Sequence, residues 1–221
     1  MYSTSNPNVL PNTPSEVIAV TIGNDGGASA VNVSVQLSIS PLGIGYKKVP
    51  VASQPTSLAQ NSQVTLAFAT PTALLQSAGG ASMPWYGAYV DLQFLDDSDL
   101  ANNHAISMWL AIDSQSDSGP SGGLTPNFPV VNQFSSSTES VTLYVVPLIP
   151  GVAVLANGAP SNGVLGPYSL FPGQSMVPNF QLTVPANVDG GTFLAPLASV
   201  VGVTATGQFI GGLTIVCAVN D

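Results

Sequence analysis

Asp97, Asp99 and Asn102 stand beside the chain's single histidine, His104, in the stretch DDSDLANNHAISMW at 96–109. Carboxylates and amides so spaced are ligand types for a hard cation, and calcium collects about six to eight such oxygens. The stretch lacks the mid-loop glycine and the closing glutamate of a helix-loop-helix calcium loop. The same residue types also build turns, because Asp, Asn and Ser bond their own backbone and tolerate the left-handed region. Strand-like runs flank DDSDLANNHA at 96–105, YVDLQFL before it and ISMWLAI after it. The expectation is therefore a hairpin connection with no metal and no cofactor, with Asp97, Asp99 and Asn102 as calcium candidates.

His104 has no second histidine or nearby cysteine with which to hold zinc, and an exposed position at a strand start is expected for it. A Ser-His-Asp triad would have to recruit His104, yet no G-x-S-x-G elbow occurs, and PGQSM at 172–176 reads as a turn. The remaining acids are scattered, so no carboxylate pair suggests a glycosidase. No catalytic residue is assigned, and the chain is expected not to be an enzyme. Trp85, Tyr86 and Tyr89 in MPWYGAY form a candidate sugar-stacking platform, provided that they are exposed; strand alternation sends about half of such residues inward. The sequon NVS at 32–34 falls within an expected strand, and Asn32 is read as an outward strand residue. Cys217, the only cysteine, lies in an apolar strand and is expected to be a buried thiol.

The elements that must position these residues are strands. EVIAVTIGN and NVSVQLSIS alternate with period two, and QVTLAFAT, AYVDLQFL, ISMWLAI, SVTLYVV, FQLTVP and LTIVCAV are short β-rich runs punctuated by Gly, Pro, Asn and Asp. An internal repeat organises them. Asn24 is followed nine residues later by Val33, and Asn132 nine residues later by Val141; both segments read as strand, small-residue turn, strand. SLAQNSQVTLAF at 57–68 parallels SLFPGQSMVPNFQL at 169–182 in the same way. The expected fold is all-β, two tandem Ig-like β-sandwich domains, at 1–113 and 126–221, joined by a Ser-, Gly- and Asp-rich linker at 114–125.

The strand, turn and hairpin motifs of the first half, VTIGNDGGASAVNVSVQLSIS and YVDLQFLDDSDLANNHAISMWLAI, resemble CARDB-type bacterial Ig-like domains. The second half, with LFPGQSMVPNFQLTVPANVDGGTF, is similar to related Ig-like domains that trail secreted glycosidases. The resemblance implies two β-sandwiches. The acids that the first family carries in E-x-N-E-x-NN are missing.

Composition narrows the partners. Charged residues make up 6% of the 221 residues, against about 25% in a typical soluble protein, and the mean hydropathy is +0.37. Two lysines stand against eleven acids, for a net charge of -9. A nucleic-acid groove needs several cations, so nucleic acid is excluded as a partner, and anionic membrane surfaces are disfavoured. The longest apolar runs are far short of the roughly 20 residues of a membrane span, so no membrane insertion is expected. MYSTSNPNVLPNTPS has neither the basic nor the apolar region of a secretory signal. A signal trimmed from the chain, or assembly inside the cell that makes it, would account for this.

These features point to a structural or adhesive protein of an extracellular or cell-surface assembly. Its expected partners are copies of itself or other surface proteins, and pairing at sheet edges is the expected mode of contact. The N-terminal arm, with Val9 and Leu10 as its apolar anchors, is the expected pairing segment. Two alternatives remain open: a subunit or decoration protein of a virus-like or injection particle, and an accessory carbohydrate-binding module of a secreted glycosidase.

Overall fold

Period-two alternation sets the first strand: Ile18, Val20 and Ile22 are buried while Val17 is 59% exposed, because successive strand side chains point to opposite faces. In the computed structural model, which describes residues 15–71, 86–94, 103–113, 123–183 and 195–218, every regular element is a β-strand. The protein is all-β. It divides into two compact units, Met1–Pro41 with Lys48–Ser107, and Leu42–Lys47 with Met108–Asp221.

The first unit contains β1 (Ser15–Asn24), β2 (Ala30–Pro41), β3 (Val49–Leu58), β4 (Ser62–Pro71), β5 (Tyr86–Gln93) and β6 (His104–Ser107). β1 and β4 form one antiparallel pair, and the second sheet has the order β3-β2-β5-β6. Ile18, Val20 and Ile22 of β1 and Phe68 of β4 share one apolar core with Val33, Val35, Leu37 and Ile39 of β2 and Val90 and Leu92 of β5. The two sheets therefore face each other as a sandwich. Each such aliphatic side chain contributes about 1.5–3 kcal/mol on burial.

The second unit contains β7 (Trp109–Asp113), β8 (Val130–Val131), β9 (Glu139–Pro147), β10 (Ala153–Ala156), β11 (Ala159–Ser161), β12 (Val164–Leu170), β13 (Ser175–Met176), β14 (Phe180–Thr183), β15 (Ala195–Thr204) and β16 (Phe209–Ala218). Its largest sheet has the order β12-β9-β15-β16-β7, beside the pair β13-β8 and the three-stranded β11-β10-β14. Val141, Leu143 and Val145 of β9, Val200 of β15 and Leu213 and Ile215 of β16 are buried, as are Phe128 and Phe180. The last two meet edge to face at 6.2 Å between ring centroids.

The internal repeat is a structural one. The sheet order β3-β2-β5-β6 of the first unit matches β12-β9-β15-β16 of the second, and the pair β1-β4 matches β8-β13. The two asparagines occupy equivalent places. Asn24, 1% exposed, donates from Nδ2 to the carbonyls of Ala28 at 2.8 Å and Leu58 at 3.4 Å, and accepts from the Gly26 N–H at 3.0 Å. Asn132, 0% exposed, donates to the carbonyls of Ser137 at 2.8 Å and Leu170 at 3.0 Å, and accepts from the Ser135 N–H at 3.2 Å. Each amide holds its own turn and ties it to the Ser-Leu segment that the sequence had aligned. An asparagine suits this position because it supplies donors and an acceptor without a charge.

The unit boundaries differ from those expected. β7, read from the sequence as the end of the first domain, pairs in parallel with β16, Trp109 opposite Thr214 and Asp113 opposite Ala218. Residues 42–47, from the β2–β3 connection, also belong to the second unit. The Ile44 N–H donates to the Pro129 carbonyl at 3.0 Å, the Val131 N–H to Ile44 at 2.8 Å, the Gly45 N–H to Ile210 at 3.1 Å and the Gln133 N–H to Gly45 at 3.2 Å. Ile44 is fully buried. Gly45 has φ +82, and a Cβ there would collide with the Val131 carbonyl, so glycine is the residue this crossing requires. Backbone pairing of this kind has no period in the sequence, and cutting the chain in two halves misses it.

Candidate functional site

The ionisable cluster of the first unit is built by strand register. Asp91 of β5 lies directly opposite His104, the first residue of β6, and directly opposed side chains in an antiparallel pair share a face. The imidazole Nδ1 is 2.6 Å from Asp91 Oδ1. The Lys48 ammonium lies 3.8 Å from Asp91 Oδ2 and 4.6 Å from the centre of the Tyr89 ring. The Asp91 carboxylate accepts from Nδ1–H of His104. The His104 side chain is 60% exposed, so the histidine is the exposed strand-start residue that the sequence suggested. The pairing with Asp91, thirteen residues away, was not anticipated, since cross-strand register creates it.

Beside this cluster an open groove of about 540 Å³ runs over the ends of β2, β5 and β6, lined by Asn32, Ser34, Leu92, Gln93, Phe94, Asn103 and His104. Asn32 is exposed, as expected, but has φ 61 and lies where the β2–β3 register shifts between Ala30 and Val33. Asn103 is 2% exposed, and its Oδ1 and Nδ2 have no hydrogen-bond partner. Its backbone carbonyl accepts from the Leu92 N–H at 2.7 Å. Sequence reading passed over Asn103 because it sits among turn-forming residues and shows no pattern of its own.

On the second unit, the outer face of the five-stranded sheet carries exposed apolar residues. Val164 lies opposite Tyr144. A row runs from Val146 through Ser199 and Thr214 to Trp109. Trp109 is 42% exposed, Tyr144 43%, Val146 52% and Val164 44%. None of these six side chains is charged. Their parity explains the exposure: they alternate along their strands with the buried Leu143, Val145, Leu165, Leu213 and Ile215.

The sugar platform expected at Trp85, Tyr86 and Tyr89 does not survive at Tyr89. That ring is 1% exposed, its hydroxyl accepts from Ser40 Oγ at 3.4 Å, and the Lys48 ammonium covers it. Burial pushes the phenol above its ordinary value, and the Ser40 hydrogen bond offsets part of that rise. Stacking on a sugar needs an open ring face, which Tyr89 lacks. Tyr86 begins β5, opposite Pro41. Trp85, the calcium candidates Asp97, Asp99 and Asn102, and the arm residues Val9 and Leu10 lie outside the described residues. Cys217 lies in β16, between Ala195 of β15 and Ile112 of β7. Among the described residues, no group of three or more His, Cys, Asp or Glu could hold a metal ion, and no helix is long and apolar enough to cross a membrane.

The sheet edges also differ from the expectation. β3, the outer strand of the four-stranded sheet, contains Pro50 and Pro55. β12, the outer strand of the five-stranded sheet, contains Pro167 at a register shift between Leu165 and Tyr168. The outer side of β16 is taken by β7. Prolines and irregularities remove backbone donors and blunt an edge, so these strands are protected without lysine.

No protein-family model matches the chain, and no curated protein matches it. Among solved structures it is similar to a transglutaminase from red sea bream, with 10% identity and a TM-score of 0.35, over 99% of this chain and 31% of that one. It is also similar to the CupB6 tip adhesin from Pseudomonas aeruginosa, with 8% identity and a TM-score of 0.30, over 100% of this chain and 98% of that one. The chain thus spans 31% of the transglutaminase's length. Neither likeness bears on function. Strand order and the repeated asparagine define the class as an all-β protein of sandwich-type units.

Proposed function

We propose that the chain is a non-catalytic structural or adhesive module of an extracellular or cell-surface assembly, and that it associates with copies of itself. The observation that carries this reading is the row of uncharged side chains on the outer face of the five-stranded sheet, with Trp109, Tyr144, Val146 and Val164 exposed. In a chain of net charge -9, a contact centred on uncharged side chains is one place where two copies meet with little repulsion, and aromatic residues are enriched at the centres of interfaces. The blunted edges of β3 and β12 favour this face over pairing at those two edges. The family resemblance to CARDB-type domains is compatible with such a role and stays part of the proposal.

Light scattering of the intact chain and of a Trp109→Thr, Tyr144→Thr double variant, each at low and high salt, tests the reading. Association that persists or strengthens with salt, as repulsion is screened, and that the double variant loses, is the expected result. Monomers in every sample, or equal association of both proteins, would remove the face as the contact surface.

A further inference from the structure

We infer that the groove over the ends of β2, β5 and β6 is a binding site for a neutral saccharide unit. This goes beyond self-association and stands on different residues.

Three observations meet there. The groove has about 540 Å³, within the roughly 300–1,000 Å³ range of small-molecule sites. Its walls carry hydrogen-bonding groups, the amides of Asn32 and Gln93, the Ser34 hydroxyl and the His104 imidazole, set around the apolar Leu92 and Phe94. At its floor Asn103, 2% exposed, has an amide with no partner for either Oδ1 or Nδ2.

An amide with one free donor and one free acceptor matches a pair of adjacent hydroxyls, each of which both donates and accepts. A turn of the Asn103 side chain presents it to such a pair. Asp91 fixes the histidine, accepting from Nδ1 at 2.6 Å and leaving Nε2 to pair with a third hydroxyl, which can both donate and accept. Phe94, half-buried, supplies the apolar surface on which a sugar's C–H face rests.

The charges argue against an anion. The nearby cation, Lys48, is engaged with Asp91 and lies over Tyr89, while the Asp91 carboxylate stands behind His104 and repels phosphate. A wholly apolar ligand would strand the amides that line the walls.

The test is an NMR titration of the full chain with D-mannose, D-galactose and N-acetyl-D-glucosamine in turn, with inorganic phosphate as the charged control. An open groove with a few hydrogen bonds gives dissociation constants in the millimolar range, near about -4 kcal/mol. The expected result is that at least one sugar shifts the amide signals of Gln93, Phe94, Asn103 and His104. Gln93→Ala and His104→Ala, both at exposed positions, should each weaken that binding about tenfold, a loss of roughly 1.4 kcal/mol, without altering the spectrum elsewhere. The assignment is overturned if no sugar shifts these signals up to about 50 mM, well above a millimolar dissociation constant. It is equally overturned if the shifts map to another surface, if both variants bind as the parent does, or if phosphate produces the same shifts.

Discussion

Replacing Asn132 with alanine tests whether the repeated asparagine holds each unit together. The substitution removes three hydrogen bonds at a side chain that is 0% exposed. The buried Leu170 carbonyl loses its donor with no route to water, at about 1–3 kcal/mol. The Ser137 carbonyl and the Ser135 N–H are partly buried; water replaces part of what they lose, so each adds about 0.5–1 kcal/mol. The total is about 2–5 kcal/mol. In urea unfolding followed by circular dichroism, with a slope of about 1–3 kcal/mol per molar, the midpoint should fall by about 1–2 M. Asn162→Ala is the matched control, since Asn162 makes a single exposed bond, accepting from the Val164 N–H at 3.1 Å; its cost should stay under about 1 kcal/mol.

Asn132→Asp sharpens the argument. A carboxylate can still accept from Ser135, but it faces the Ser137 and Leu170 carbonyls with nothing to donate. Its folded pKa must rise above the unfolded value near 3.9. The native state then binds more protons than the unfolded one between the two values, so the stability of this variant should be greatest in acid and fall as pH rises through the folded pKa. Equal midpoints for Asn132→Ala and the Asn162 control, or an Asn132→Asp variant whose stability relative to the parent does not fall with pH, would refute the reasoning.

Ile44→Ala should destabilise the second unit by about 2–4 kcal/mol, read as faster hydrogen exchange at Leu143 and Val145, because Ile44 is fully buried and a Cβ at Gly202 would come within 2.5 Å of its Cγ2. A fragment of residues 122–221 lacks both Ile44 and β7, and should not unfold cooperatively in circular dichroism, whereas the full chain should. Gly45→Ala should cost more than about 1 kcal/mol in thermal unfolding, through its positive φ and the Val131 carbonyl. Tyr89, whose phenol is raised by burial, should ionise late in an ultraviolet absorbance titration. The stability it contributes should be intact below about pH 10 and lost as pH climbs through its folded value; Tyr89→Phe should abolish that loss.

Alternation in EVIAVTIGN and NVSVQLSIS was enough to specify strands, and the buried Ile18, Val20, Val33 and Val35 follow that alternation, because period two maps directly onto the two faces of a sheet. The spacings from Asn24 to Val33 and from Asn132 to Val141 were readable for a related reason. A buried amide that closes its own turn acts over a few residues, so the whole motif is local in sequence. Tyr89 shows where that legibility stops. Its parity with Asp91 places it on the outer side of β5, yet it is buried there beneath Lys48. Alternation fixes which face a side chain takes and says nothing about whether that face is covered. Asp91 and His104 were visible one at a time, and register made them a pair.

The sequence by itself thus determined the strand class, the repeated motif marked by Asn24 and Asn132, and the poverty of charge. These follow from local periodicity, turn chemistry and composition, each of which acts within a short stretch or over the chain as a sum. Tertiary structure alone decided that residues 42–47 and β7 join the second unit, that prolines fall on the outer strands, and that Trp109 shares an exposed row with Val146. Such outcomes depend on backbone pairings between residues far apart in the chain. Every backbone N–H and C=O is chemically alike, so no residue type announces which distant partner it will take.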